Sequence, residues 1–172
     1  LVLPLNNGEY CLLDAMPGDI EDNWYFSEGI KYELPFPDGA EFKFDDISPA
    51  VQVSDYLENC DQILVFSEKL KGLVEKNCSF PTEFFEVSIL NHKRRKVKGV
   101  KFYLANIIGT IDCVDESKTE GMFSSFNEGM YDSINKVYFD ETKIPEGVKI
   151  FRTKSFPSVM IVSEEIKNLF EK

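Results

Sequence analysis

The chain has 172 residues, 43% hydrophobic and 13% aromatic, enough to build one domain with a real core or two small lobes sharing one. Thirty Asp and Glu against nineteen Lys and Arg leave a net charge of −11, which argues against generic attachment to nucleic acid or anionic membrane, since both need a positive footprint. No apolar run approaches the roughly 20 residues that span a bilayer, and LVLPLNNGEY is too short and polar for a signal peptide, so a cytoplasmic location is expected.

In chain order, GDIEDNWYFSEG holds the sole Trp, Trp24, behind Asp19, Glu21 and Asp22. Trp24 reads either as a core anchor or as an aromatic hot spot ringed by acids. IKYELPFPDGAEFKFDD alternates Ile30, Tyr32, Leu34 and Phe36, turns at 37–39, and resumes with Phe42 and Phe44. That pattern predicts a β-hairpin or two edge strands, because Pro35 and Pro37 would interrupt a central ladder. QILVF follows as a short buried strand. Ser67 then caps a helix whose Leu70, Leu73 and Val74 share one face.

EFFEVSIL and VKFYLANII are the clearest strands, with Phe85, Val87 and Ile89 on one face of the first and Val100, Phe102 and Leu104 on one face of the second. Between them, six of the nineteen Lys and Arg fall within nine positions beside the only histidine, His92. This stretch reads as the reversal of an antiparallel pair, kept soluble by its charge. Residues 115–133 have no steady period and read as a long surface loop. Strands are then expected within 134–140, 148–156 and 158–163. The C-terminal IVSEEIKNLFEK aligns without gaps to VFSEKLKGLVEK at 65–76, with six of twelve residues identical. It predicts a second Ser-capped amphipathic helix. The whole is an α+β chain: a mainly antiparallel sheet with two short Ser-capped amphipathic helices packed on it. It reads as one domain over 1–172, with 1–55 the stretch where an N-terminal sub-lobe would fall.

Catalytic constellations find little support. His92 lies among Lys93, Arg94, Arg95 and Lys96, which oppose ring protonation, and no carboxylate of its loop is placed to orient it, so it reads as an exposed turn residue. The acids cluster at 19–22, at Asp45 and Asp46, and at Asp112, Asp115 and Glu116, but match no metal-loop pattern. Neither phosphate-binding glycine motif occurs. No cofactor, metal or catalytic residue is therefore expected. Four cysteines, Cys11, Cys60, Cys78 and Cys113, form no C-x-x-C pair; their even number leaves disulfides open, although a reducing compartment fits their apolar settings better.

Several motifs occur in one order: W-x-F-x-x-G at Trp24, Phe26 and Gly29; the FSE and VSE helix starts; Y-L-x-N ahead of D-C-x-D; and IFR at Ile150 to Arg152. From about residue 20 to the end, the chain resembles the immunity proteins of bacterial polymorphic-toxin systems, a family of myxobacterial type first catalogued as a domain of unknown function. The resemblance implies a non-enzymatic protein that binds and neutralises a cognate toxin. The charge of −11 would suit a basic, nuclease-like one. The residues expected to make that contact are Asp22, Trp24, Tyr25, Asp45 and Asp46, with Asp112, Asp115 and Glu116 as a second patch. A carboxylate-dependent hydrolase or metal enzyme is the alternative, and it requires at least two of these acids to converge in a pocket. A third reading, an adaptor within a larger assembly, requires a stable partner other than a toxin.

Overall fold

The computed structural model describes residues 8–47, 50 and 52–170; the first seven residues and the final two of the repeated helix lie outside it. Its elements are α1 (Trp24–Glu28), β1 (Glu41–Lys43), β2 (Leu64–Ser67), α2 (Glu68–Asn77), β3 (Thr82–Leu90), β4 (Phe102–Ile107), β5 (Glu120–Phe123), β6 (Tyr131–Lys136), β7 (Ile150–Arg152), β8 (Met160–Val162) and α3 (Glu164–Phe170). The α+β class and the mainly antiparallel pairing expected from the sequence are both present.

The main sheet has the order β1-β3-β4-β2, with β1 parallel to β3 and the other pairs antiparallel. Its central strand β4 is apolar on both faces, and alternation sends its side chains to two different cores. Phe102 and Leu104 join Val87, Ile89, Ile63 and Val65 in a cluster completed by the N-terminal segment, through Cys11, Leu13, Ile20, Phe26, Tyr32, Phe42, Phe44 and Leu57. Ala105 and Ile107 face the other way, into a cluster with Leu64, Phe66, Leu70, Val74, Ile150, Val162 and Ile166. The two Ser-capped helices and the β7–β8 pair therefore cover one face of the sheet, and the irregular N-terminal third covers the other. Val100, expected in line with Phe102 and Leu104, lies beyond the strand and is exposed.

Ser67 caps α2 as its sequence predicts, its Oγ accepting from Leu70 N–H at 3.3 Å. The same hydroxyl donates to Asp55 at 2.6 Å, and Lys69 Nζ binds the other carboxylate oxygen at 3.0 Å. Partial burial opposes ionisation of Asp55, but the bonds from Ser67 and Lys69 outweigh it and hold its pKa below the usual carboxylate value. A depressed folded-state pKa stabilises the fold above the unfolded pKa and loses that contribution as pH falls through the folded value. We expect the stability advantage of wild type over Asp55→Asn to be largest at neutral pH and to vanish as pH falls through the folded pKa of Asp55, and Ser67→Ala to lose about 1 kcal/mol at neutral pH, both read by urea titration.

Several expectations change. Residues 30–36 alternate as a strand should, yet form no ladder; only β1 pairs, in parallel with β3, so the hairpin is absent. Pro35 and Pro37 remove the donors a hairpin partner would need. The stretch 115–133 is not a plain loop, because β5 lies within it and β6 starts there, the two pairing antiparallel. Their residues are exposed on nearly every position, so no period could mark them. The helix α1 was also unforeseen, being five residues long and too short to show a periodicity.

The basic stretch does reverse the β3–β4 pair, and the acidic remainder partly neutralises it: Arg94 pairs with Asp46, Lys96 with Glu41 at 3.0 Å and Lys101 with Glu86 at 3.4 Å. His92 is half-buried rather than exposed. It packs on Phe44 and its Nε2 lies 3.0 Å from the Ala50 carbonyl, which makes it a structural residue of the loop.

Candidate functional site

The eight residues singled out from the sequence fall at three places. Asp22, Trp24 and Tyr25 surround α1. Asp22 adopts a left-handed backbone (φ 46°), and its carbonyl accepts from Tyr25 N–H to start the helix. Helical turning then buries Phe26 completely and leaves Trp24 45% exposed, so Phe26 is the core anchor here and Trp24 is not. Trp24 rests on Tyr25 with ring centroids 4.2 Å apart, and Tyr25 meets Tyr32 edge-on at 6.1 Å. Tyr32 donates its hydroxyl to the Glu21 carbonyl at 3.0 Å, and burial, then the Glu21 and Asp22 charges, push its pKa up. Asp19, Glu21 and Asp22 are exposed and form no ion pair among the described residues. A half-open indole thus stands beside uncompensated negative charge.

What holds α1 in place is a buried clasp that the sequence signalled only as scattered motif residues. Arg152 is fully buried and aims its guanidinium at carbonyls alone. It binds Phe26 O at 2.9 Å and Ser27 O at 3.3 Å, both left without helical partners at the end of α1, together with Ile107 O at 3.2 Å and the Pro157 carbonyl. Burial lowers its pKa to about 10, so the charge persists at neutral pH. Gly29 must be glycine, since its φ is +67° and a Cβ would lie 2.8 Å from both Arg152 Cδ and Ile107 O. Asn106, also fully buried, donates to Ile30 O at 2.7 Å and to Glu83, which in turn accepts from Tyr32 N–H. Asn106 and Arg152, distant in sequence from Phe26 and Gly29, therefore join them in one support for α1.

At the second place, Asp45 accepts from Ile47 N–H at 2.7 Å in a local turn, and Asp46 gives its charge to Arg94. At the third, Asp115 is held by Lys118 at 2.7 Å and by Ser117, bonds that lower its pKa. Asp112 lies 3.6 Å from Lys154, and Glu116 is exposed and unpaired among the described residues. These carboxylates come from three separate stretches of the chain. The groove beside β3, lined by Phe36–Gly39 and Phe84–Ser88, contains none of them, and no cluster of three metal-ligating side chains occurs among the described residues. All four cysteines are free thiols, and burial pushes those of Cys11, Cys78 and Cys113 up. No helix among the described residues is long and apolar enough to cross a membrane.

Sequence reasoning missed the exposed side chains of β5 and the turn after it, Met122 (61% exposed) and Phe126 (93%). The signal was present as three large apolar residues, Met122, Phe123 and Phe126, in the otherwise polar stretch EGMFSSFNEG.

The fold thus defines an α+β protein with a core on each face of its main sheet and its candidate side chains on the outer surface. The model of the immunity protein family Imm11 matches residues 7–172, and the chain belongs to that family. No curated protein matches it.

Proposed function

We propose that this chain is a toxin-neutralising immunity protein that acts by binding a cognate toxin, without catalysis or cofactor, in the cytoplasm. Membership of the immunity family carries the role. The exposed Trp24, the part-buried Tyr25 beneath it and Asp22 form the centre of the contact, and Asp45 and Glu116 add negative field, with Asp46, Asp112 and Asp115 partly neutralised by Arg94, Lys154 and Lys118. A net charge of −11 steers the protein onto a basic partner, such as a nuclease, and raises the rate of encounter. Trp is the side chain most often found dominating binding energy at interfaces, and one left half-open beside unpaired acids is the observation that supports this reading of the contact. The scattered carboxylates favour this reading over a hydrolase, which needs two of them facing one substrate.

Co-expression with the toxin encoded beside this chain is the test. Cells carrying both should grow as the toxin-free strain does, whereas equal killing with and without this protein would reject the reading for that pair.

A further inference from the structure

We propose that the β5–β6 ribbon is a docking arm whose tip, Met122 and Phe126, inserts into an apolar recess on the basic face of the toxin; this rests on the toxin-binding reading above. The ribbon is built as an arm. Its base is tied down where Asp115 N–H bonds to Tyr138 O and Asp140 N–H to Cys113 O, both at 2.8 Å. Higher up, Tyr131 is buried, donates its N–H to Ser155 O at 2.8 Å and stacks on Phe123 at 4.3 Å. The strands approach closely, since a Cβ on Gly121 would lie 2.5 Å from Ser133 O. Phe123 leans on Tyr131 with half of its surface still open, and Met122 and Phe126 stand further out in solvent.

An isolated two-stranded ribbon is marginal in water, and large apolar side chains on its end add a solvation cost that folding does not relieve. Their placement makes sense as the apolar centre of an interface. The rim fixes the partner's sign. Residues 115–136 carry Asp115, Glu116, Glu120, Glu128 and Asp132 against Lys118 and Lys136 alone. Lys118 is taken by Asp115, and the Lys136 ammonium lies 4.8 Å over the Tyr138 ring. Glu116, Glu120, Glu128 and Asp132 form no ion pair among the described residues, so the arm presents net negative charge. A second copy of the same arm would repel it; a basic protein face would not.

The experiment measures affinity and association rate for the toxin encoded beside this chain, using the full chain and three variants. Met122→Ser with Phe126→Ser should raise Kd roughly 100-fold, mainly through faster dissociation. Glu128→Lys with Asp132→Lys should slow association about tenfold at low salt, with the gap closing as salt rises. Both pairs should keep the wild-type unfolding midpoint, because all four side chains are exposed. An unchanged Kd for the serine pair while Trp24→Ala weakens binding overturns the arm and leaves the toxin-binding reading standing. Absence of binding by wild type rejects that reading, and the arm with it. Wild-type self-association that the serine pair abolishes would assign the tip to a second copy instead, which also overturns the proposal.

Discussion

Replacing Arg152 with Ala is expected to cost about 3–5 kcal/mol of folding stability, a large share of the roughly 5–15 kcal/mol that domains commonly have. The guanidinium binds four carbonyls, three of them through buried bonds, and each orphaned buried acceptor costs about 1–3 kcal/mol before relaxation. Arg152→Lys should recover only part of this, since an ammonium keeps the charge but lacks the planar fork that reaches Phe26, Ser27, Ile107 and Pro157 together. By contrast, Arg94→Ala breaks an exposed pair with Asp46 and should cost less than about 1 kcal/mol. Denaturant unfolding of the three variants checks the order. Equal stability of Arg152→Ala and Arg94→Ala would remove the clasp from the account.

The second large effect concerns the partner. Trp24→Ala should weaken toxin binding by about 2–4 kcal/mol, roughly 30- to 1000-fold in Kd, while shifting stability by no more than about 1 kcal/mol. The separation follows from burial: Phe26, not Trp24, anchors α1 in the core, and Trp24 touches the body through Tyr25. Phe26→Ala should show the opposite profile, losing about 3–5 kcal/mol of stability. Calorimetric titration beside thermal unfolding distinguishes the two. A Trp24→Ala protein that unfolds like Phe26→Ala yet binds normally would return the indole to the core.

How far the sequence revealed this structure depended on where each residue's partners lie. The strands β3 and β4 and the caps of α2 and α3 were legible because their signals are local: period-two alternation, and serine before a 3.6-period stripe. Residues 30–36 misled for the same reason, carrying a strand's period without backbone donors at Pro35 and Pro37 to use it. The β5–β6 ribbon was silent because a strand exposed on both faces has nothing to alternate between. Arg152 was visible only as the last residue of the IFR motif, since its partners lie 5, 45, 125 and 126 positions away.

The site divides similarly. Asp22, Trp24 and Tyr25 are adjacent in sequence and remain together on α1, so that patch was readable from the chain. Asp45 and Asp46 were not recognisable as partly neutralised, because Arg94 reaches Asp46 from 48 residues away. Three of the six positive charges in the basic stretch that stood out in an acidic protein are met within the chain, by Asp46, Glu41 and Glu86.

Neutralisation by binding has a direct measure in the stoichiometry of inhibition. Titrating the purified toxin with this protein, at concentrations far above Kd, should reduce toxin activity linearly to zero at a fixed equivalence near one chain per toxin. Loss of all activity at a small fraction of an equivalent, progressing with time, would mean turnover and would contradict an immunity protein that acts by occupying its target.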